Sequence, residues 1–460
     1  MTSSRTLTEQ LADAFCAIRP ADMSQETLAT ASSFVLDWLA SALAGTVAKP
    51  GRMLIDEGES RGDGPCSVLG LAAGRDAEVA ALVNGGLSHI VELDDLDRQS
   101  VVHPGCVVIP AALAMAEECG ATGREFLAAV VIGYEAAIRV GSAVGRSHYA
   151  YWQNTATCGG FGSAAAAGFL IGLSPEQLTW AFGNAGSMAA GLWQFNQDGA
   201  MSKHLHAGRA AANGVLAARL GARGFTGARE ILEGRQGFFA AMSSDAEPER
   251  VVSGLGESVG SSTWAISRVS MKPHACCRHT HSSVDAALQL RPHLDPSAID
   301  RVIVRTYGTA LDITDAPDPR NRFQAKFSLQ YTVARALLTG RVGLRDFDSE
   351  LLNDQPTRRL MSRVQLAIDP ELDARYPGAW PATVRVELAD GSVQAASVDA
   401  PKGDPENPLS QDELRAKFTD MIAWTAYASE RERLLASVGS LAGRRNMRSF
   451  LPEADDSAVD

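Results

Sequence analysis

The sequence has few of the features that mark secreted or membrane-spanning proteins. Its seven cysteines are odd in number and show no CxxC spacing, so we expect reduced thiols in a reducing compartment. The first residues, MTSSR, do not lead into the apolar core of a signal peptide, and we expect no apolar stretch that reaches the roughly 18 residues of a spanning helix. We therefore expect a cytoplasmic protein with no membrane partner.

Positive charge is also scarce. The chain has 42 Lys and Arg against 54 Asp and Glu, which gives a formal net charge of -12. Its densest basic run, RRNMR at residues 444–448, is too short to neutralise many phosphates. We expect no nucleic-acid partner. An anionic substrate needs a local basic cluster, because the field of the whole molecule repels anions.

The motifs of several large enzyme classes are missing. The sequence has no Gly-x-Ser-x-Gly elbow and no Walker loop, so no motif supports hydrolase or phosphoryl-transfer chemistry. No internal repeat indicates a solenoid or a propeller. At 460 residues the chain exceeds the size of one usual hydrophobic core, and we expect two domains.

Helical spacing of apolar residues dominates the first part of the chain. Leu28, Ala31 and Val35 recur at intervals of three and four, which predicts a helix with one buried face. The segment SPEQ at residues 174–177 combines a capping Ser, a Pro in the first turn and a Gln at the capping-box position. This segment predicts a helix that begins at Pro175.

A different pattern occupies the region after residue 266. Polar and apolar residues alternate in segment 301–306, and segments 364–368, 383–388 and 393–398 look similar, which predicts strands. The pair Asp390-Gly391 between the last two segments indicates a hairpin, because both residues tolerate the positive φ of a type I′ turn. Helical spacing returns after residue 408.

These patterns predict a mainly α protein with an α+β part. We expect a large all-helical domain formed by both chain ends, residues 1–265 and 408–460, with a smaller α+β domain, residues 266–407, inserted between them. The acidic residues 453–460 are expected to fray. A ligand pocket is expected where the two domains meet, because ligand sites favour such junctions.

Most of the nine histidines fall in three short charged segments. The first runs from His89 through Glu92, Asp94 and Asp95 to His103. Carboxylates held close together raise one another's pKa, so this segment offers an acid/base pair. The alternative is a solvated acidic turn before a helix.

The second and third segments bring the positive charge that an anionic substrate needs. The second, KHLHAGR, begins at Lys203 and leads into a helical run, where the helix N-terminus, Lys203 and His206 favour an anion. A cationic surface loop has the same composition. The third, KPHACCRHTH, begins at Lys272 and includes Arg278, which predicts charge-assisted hydrogen bonds to a carboxylate.

Metal chemistry is the main alternative from the residues alone. A metal-dependent hydrolase would use His204, His206, His279, His281 and Asp95. Cys276 and Cys277 with their flanking histidines are candidate zinc ligands, although their spacing matches no common zinc module. A carboxylate-binding or scaffold protein without activity is the third alternative.

Taken together, the segments resemble the MmgE/PrpD family, which includes 2-methylcitrate dehydratases, cis-aconitate decarboxylase and iminodisuccinate epimerase. The stretches that carry the resemblance are ELDD with the following His-Pro, KHLHAG, KPHACCRHTH, and AKFS with the nearby Tyr331. The resemblance spans nearly the whole chain. It implies a homodimer with no cofactor and no metal, and a small di- or tricarboxylate that loses a proton from the carbon next to a carboxyl group.

The matching positions indicate two sets of site residues. The catalytic set is His103, Asp94, Lys203, Lys272, Tyr331 and His281. The substrate-binding set is Glu92, Asp95, Gln153, His206, Cys277 and Arg278. The sequence also departs from the pattern: Glu92 stands where decarboxylase-like members carry Asp, Leu96 where they carry Thr, and Cys277 and Gln153 where members carry His. The lost imidazoles weaken a decarboxylase interpretation.

We hypothesise that His103, oriented by Asp94, transfers the proton. Lys203 and Lys272 then bind carboxylates and stabilise the negative charge that develops in the transition state, and Tyr331 or His281 delivers the second proton. A tyrosine such as Tyr331 is, on its own, more often a core residue. Because dehydratases are common in the family, a 2-methylcitrate dehydratase-like lyase is the first expectation, an epimerase or isomerase the second and a decarboxylase the third.

Overall fold

The chain forms two compact units in a computed structural model that describes residues 5–255 and 264–451. The first unit comprises Met1–Ile90, Asp94–Val269 and Gln411–Asp460, and the second comprises Val91–Leu93 and Ser270–Ser410. The predicted fraying of residues 453–460 lies outside the described residues. No pattern in the sequence indicates that residues 91–93 join the second unit.

The first unit is built from helices. They are α1 (Leu7–Cys16), α2 (Gln25–Thr46), α3 (Lys49–Glu59), α4 (Ala77–Ser88), α5 (Gly105–Cys119), α6 (Gly123–Ala143), α7 (Arg146–Tyr149), α8 (Asn154–Leu170), α9 (Pro175–Ser187), α10 (Gln194–Asp198), α11 (Ser202–Ala222), α12 (Phe238–Met242) and, from the end of the chain, α19 (Gln411–Ile422) and α20 (Arg431–Gly439). A short strand, β1, spans Asp63–Cys66.

Local sequence signals set several of these helices. Helix α9 begins at Pro175 as predicted, and Ser174 and Gln177 form the reciprocal bonds of a capping box. Leu28, Ala31 and Val35 all lie on the buried side of α2. The predicted helical pattern near the chain end is α19, which buries Leu414 and Phe418.

Small residues let the central helices pack closely. Helix α11 packs against α4, α5, α8 and α9, and a Cβ at Gly208 of α11 would lie 2.3 Å from the main-chain oxygen of Leu82 in α4. Only glycine permits that approach without a shift of the backbone. The close packing brings Lys203 and His206, at the start of α11, next to the loop that follows α4.

Two helices of the first unit are longer and more apolar than the sequence reading allowed. By length and composition alone, α2 and α6 are long and apolar enough to cross a membrane, so the expectation of no such stretch is wrong. Their apolar windows are 78% and 89% buried inside the structure. This burial is what the core helices of a helical domain show.

The second unit combines a four-stranded sheet with short helices. The strands are β2 (Ile299–Thr306), β3 (Val364–Ile368), β4 (Ala382–Leu388) and β5 (Val393–Val398), in the spatial order β3-β2-β4-β5. Its helices are α13 (His281–Leu290), α14 (Gly308–Thr314), α15 (Arg322–Lys326), α16 (Leu329–Thr339), α17 (Gln355–Met361) and α18 (Pro370–Asp373). The predicted class, mainly α with an α+β part, is confirmed.

The hairpin between β4 and β5 has a different turn from the predicted one. Gly391 has a φ of 83°, whereas Asp390 has no positive φ, so the turn is not type I′. The amide of Gly391 donates to the carbonyl of Leu388, and the amide of Leu388 donates to that of Ser392, which closes a three-residue loop. The Asp390 carboxylate accepts from the amide and hydroxyl of Ser392, which stabilises this longer turn.

Candidate active site

The site in the first unit is built on the loop between α4 and α5. His89 caps the C-terminus of α4, and His103 immediately precedes Pro104, the N-cap of α5. The amide of His103 donates to the Thr155 hydroxyl at 3.0 Å. The two histidines are thereby anchored at the ends of two packed helices rather than on a free loop.

Asp94 contacts both of these imidazoles through one oxygen. Its Oδ2 lies 2.6 Å from Nδ1 of His89 and 3.1 Å from Nδ1 of His103. The side chains of His89 and Asp94 are buried, while that of His103 is 14% exposed. Because Nδ1 of His103 faces the carboxylate, Nε2 is the nitrogen left to meet a substrate.

The neighbouring Asp95 has both oxygens engaged. Oδ2 accepts from the Tyr134 hydroxyl at 2.6 Å, and Oδ1 accepts from the amide of Gly105 at 3.0 Å. Burial raises the pKa of the Asp95 carboxyl well above its usual range, although the Tyr134 bond opposes the rise. In this position Asp95 ties the first turn of α5 to α6, and its predicted role in substrate binding stays a prediction.

Gln153 connects two histidines that the sequence placed in different segments. Its Nε2 lies 3.1 Å from Nε2 of His89, and its Oε1 lies 2.7 Å from Nδ1 of His206. The side chain of Gln153 is buried at the N-cap of α8. Asp94, His89, Gln153 and His206 therefore form one continuous chain of side-chain contacts.

The second predicted segment lies at the start of α11, beside this chain. Lys203 is buried, and Nδ1 of His204 lies 3.2 Å from the carbonyl oxygen of His89. Burial, together with the proximity of His89 and Lys203, lowers the pKa of His206 to about 4. His206 is accordingly a neutral imidazole near pH 7.

A groove opens on the other side of His206. It has a volume of about 840 Å³ and is lined by His206 together with apolar residues that include Trp152, Phe195 and Leu205. Arg209 and Asn213 of α11 add polar groups to its wall. His206, at the end of the chain of contacts through Gln153, thus borders a space large enough for a small molecule.

Three residues of the loop and α5 have the chemistry of metal ligands. Ligand atoms of His89, Asp94 and Cys106 lie within 4.8 Å of one another. Both ring nitrogens of His89 already contact Asp94 and Gln153, and burial raises the pKa of the Cys106 thiol well above its usual range. A metal ion here would have to displace a histidine bond and take the proton of a buried thiol, so the donor set fits a metal poorly.

The second unit contains a buried cationic cluster around Glu92. The Glu92 carboxylate lies 3.6 Å from Nζ of Lys272, and Glu92 has a φ of 59°, a backbone conformation rare for a residue with a side chain. Lys326 donates from Nζ to the carbonyl of Val91 at 2.6 Å. Sequence reasoning did not select Lys326, although the AKFS segment contains it.

Lys326 has a pKa well below the usual value of a lysine. Burial is the main cause that lowers this pKa to about 7; the Glu92 carboxylate opposes the shift, and the charge of Lys272 adds to it. Its ammonium group lies 5.7 Å from the centre of the Phe347 ring. A lysine with a pKa of about 7 is partly deprotonated near neutral pH.

Other predicted site residues of the second unit form hydrogen bonds with residues of the same chain. The Tyr331 hydroxyl is buried and donates to the carbonyl of Asp346 at 2.5 Å, and burial raises its pKa to about 12. The amide of Cys277 donates to the carbonyl of Lys326 at 2.8 Å. The catalytic role of Tyr331 and the substrate contact of Cys277 stay predictions.

His281 and Arg278 form a buried network with Asp404. Nδ1 of His281 lies 2.7 Å from Nη1 of Arg278, and its Nε2 lies 3.2 Å from the carbonyl of Cys276. Burial and the charge of Arg278 lower the pKa of His281 well below its usual range. Arg278 is also paired with the Asp404 carboxylate. Binding of a substrate carboxylate to Arg278 would compete with that ion pair.

Two family models match the chain. The family model described as the MmgE/PrpD N-terminal domain matches residues 9–251, and the one described as the MmgE/PrpD C-terminal domain matches residues 274–442. The two matches leave only short stretches of the chain uncovered.

Several relatives have named activities. The chain is 28% identical to a cis-aconitate decarboxylase-like protein of Aspergillus oryzae, over 98% of this chain and 97% of the relative. It is 28% identical to human cis-aconitate decarboxylase, over 76% of this chain and 74% of the relative. A 2-methylcitrate dehydratase of Salmonella typhimurium is 29% identical over 25% of this chain and 26% of the relative.

Proposed function

Because the chain belongs to the MmgE/PrpD family, we propose that it is a lyase of small di- or tricarboxylates whose proton-transfer centre is His103 with Asp94. The observation that carries the proposal is the shared carboxylate oxygen, which contacts Nδ1 of both His89 and His103 while His103 alone of the pair is partly exposed. Such an arrangement fixes the ring of His103 and leaves its Nε2 for the substrate.

The same pair serves both eliminations that relatives perform. In a decarboxylation the bond to the leaving carboxylate breaks, its electron pair stays on carbon, and that carbon takes a proton from the imidazolium of His103. In a dehydration the imidazole takes the proton next to the carboxylate, and the hydroxyl leaves as water after it receives a second proton. The negative charge of Asp94 favours the imidazolium form in either case.

Decarboxylation is the reaction we place first. The relatives that match over most of their length are cis-aconitate decarboxylases or similar to them, whereas the dehydratase matches over a quarter of the chain. This order replaces the dehydratase-first expectation from the sequence. Gln153 and Cys277 in place of histidines indicate that the substrate differs from that of the typical decarboxylase.

Dehydration is the second candidate, and one contact favours it. Elimination of water needs two proton-transfer groups, and the chain of contacts through Gln153 joins the His89 and Asp94 pair to a second imidazole, that of His206. Epimerisation by return of the proton to the other face is the third. All three begin at a carbon next to a carboxylate.

Substrate carboxylates need positive charge. In the first unit we assign that role to Lys203, which is buried beside His206. In the second unit Lys272 keeps the same assignment, and a substrate carboxylate would compete there with Glu92, whose carboxylate lies 3.6 Å from Nζ of Lys272. Charge-assisted bonds of this kind contribute on the order of 1.5–3 kcal/mol each. The expected cytoplasmic homodimer without cofactor is part of the same proposal.

The test is a substrate panel followed by NMR. The protein is incubated in deuterated water with cis-aconitate, 2-methylcitrate, citrate and substituted succinates. Loss of CO₂, loss of water and exchange of a carbon-bound proton give different spectra, so one experiment separates the three reactions. Absence of turnover and of deuterium uptake for every acid would falsify the proposal.

A further inference from the structure

We propose that Gln153 is a positioning residue that fixes the tautomers of His89 and His206 and so leaves Nε2 of His206 as a bare acceptor in the groove. The inference deepens the proposed function and rests on it for its catalytic consequence. Its structural part, the position of the two ring protons, does not depend on any activity.

The tautomers follow from the atoms that face one another. A glutamine amide donates only through Nε2 and accepts only through Oε1. Because Nε2 of Gln153 faces Nε2 of His89 at 3.1 Å, that nitrogen of His89 accepts, and the His89 proton sits on Nδ1. From Nδ1 it is donated to Oδ2 of Asp94 at 2.6 Å. His89 thus has a defined tautomer, with its proton on Nδ1.

The other end of the amide defines His206 in the same way. Oε1 of Gln153 accepts at 2.7 Å, so Nδ1 of His206 carries a proton. The low pKa of His206, about 4, makes the ring neutral near pH 7, and Nε2 therefore has a lone pair and no proton. Since His206 lines the groove, a ligand hydroxyl or protonated carboxyl is the group that this nitrogen recognises.

The reverse orientation of the amide is chemically costly here. With Oε1 turned to His89, Nε2 of His89 would have to carry a proton. The proton between Nδ1 of His89 and Asp94 would then either make His89 a buried cation or move to Asp94. The first outcome charges a second buried group, and the second protonates a carboxyl group of a type that normally ionises well below pH 7. The orientation with Nε2 of Gln153 towards His89 avoids both costs.

The main chain holds Gln153 so that its amide stays in place. Its own amide donates to the carbonyl of Gly191 at 2.9 Å, and Gly191 has a φ of 142°. A Cβ at Gly191 would lie 2.4 Å from the Cβ of Ala156 and 3.4 Å from Nδ1 of His206. The segment around Gly191 thus passes directly over the bond between Gln153 and His206, which only glycine allows.

The first test reads the protons directly. In the full-length protein labelled with ¹⁵N-histidine, long-range proton–nitrogen NMR spectra at pH 7 distinguish protonated from bare ring nitrogens. His89→Gln and His206→Gln variants assign the two rings. We expect protons on both Nδ1 atoms and bare Nε2 atoms. A proton on Nε2 of His206 in the wild-type protein overturns the inference, whatever the enzyme does.

The second test changes the hydrogen-bonding groups of the Gln153 side chain and keeps its size. In Gln153→Glu the amide donor is lost, so His89 must protonate Nε2 to keep the contact, and the new negative charge raises the pKa of His206 above 4. The acid limb of the pH profile of kcat should move to higher pH by a unit or more. Nε2 of His206 is then unprotonated only above the raised pKa. Gln153→Leu removes both contacts and lowers kcat about 10- to 100-fold, as loss of a histidine's outer partner does elsewhere.

Gln330→Glu is the matched control. Gln330 is also buried, and its amide bonds to Asp315 and Ala316 in the second unit. This variant should leave the histidine spectra and the position of the kcat limb unchanged. If Gln153→Glu lowers kcat without moving the limb or the nitrogen resonances, Gln153 is only a packing residue and the inference fails. If no acid is turned over by the wild-type protein, the proposed function fails while the NMR result still decides the tautomers.

Discussion

Nδ1 of His103 lies 3.1 Å from Oδ2 of Asp94, the same oxygen that Nδ1 of His89 contacts at 2.6 Å. One carboxylate thereby orients two imidazoles, of which His89 is fully buried and His103 reaches a surface. The sharing makes Asp94 the residue on which the geometry of both rings depends.

Replacement of His103 tests the proton-transfer role. General acid/base catalysis by a positioned side chain contributes about 10²- to 10⁴-fold to rate, so His103→Asn should lower kcat by that amount on whichever acid is turned over. The measurement is steady-state kinetics together with uptake of deuterium at the substrate carbon. His293→Asn, at an exposed histidine of the second unit, is the control and should behave as wild type. Unchanged deuterium uptake in a folded His103→Asn protein removes His103 from the mechanism.

Replacement of Asp94 tests the orienting role. Asp94→Asn keeps the shape but loses the charge that favours the imidazolium, so kcat should fall about 10²- to 10⁴-fold with a smaller change in KM. The pKa of the group that controls kcat should also fall, since the neighbouring negative charge is gone. Asp390→Asn in the exposed hairpin turn is the matched control. A pH profile that stays in place after Asp94→Asn contradicts the assignment.

The ion pair between Arg278 and Asp404 should matter for stability. Both side chains are almost completely buried, and removal of one partner of a buried pair costs about 3–5 kcal/mol, because the other charge is left unpaired. We expect Asp404→Ala to lower the free energy of unfolding by this amount in urea titrations. Asp399→Ala removes an exposed partner of Arg375 and should cost less than about 1 kcal/mol. Equal effects of the two variants would refute the expectation.

The buried Lys326 should make stability depend on pH in a defined direction. Its pKa falls from 10.5 to about 7 on folding, so between these values the unfolded chain binds the extra proton and stability rises with pH. Below pH 7 both states are protonated and the full penalty is present. Between pH 7 and 9 the wild-type protein should gain about 2 kcal/mol over Lys326→Met, which has no such proton. Parallel stability curves for the two proteins would show that Lys326 stays charged in the folded state.

Removal of metal should leave the protein unchanged. The ligand atoms of His89, Asp94 and Cys106 are close together, but His89 is engaged at both nitrogens and the Cys106 thiol is protonated. We expect elemental analysis to find well under one metal ion per chain and chelator dialysis to leave kcat as it was. Stoichiometric zinc that is lost together with activity would favour the metal-dependent hydrolase instead.

The sequence by itself determined which segments are helices and strands. Helix α9 starts where Ser174 and Gln177 can cap it, and the alternation in residues 301–306 lies within β2, because these signals depend on neighbours within a few residues. The turn at Asp390 was predicted less well, since two- and three-residue loops share the same Asp-Gly pair and differ only in backbone angles. The apolar character of α2 and α6 was underestimated, because scattered small and polar residues interrupt both helices.

The tertiary structure decided which side chains meet. His89 and Gln153 are 64 positions apart, and Gln153 and His206 are 53 apart, so no local pattern could pair them or choose their tautomers. Only the close packing of α11 against α4 and α8, permitted by glycines such as Gly208, brings the three residues into one chain of contacts. Lys326 acquires its low pKa for the same reason, since burial is a property of the folded unit and not of the AKFS segment.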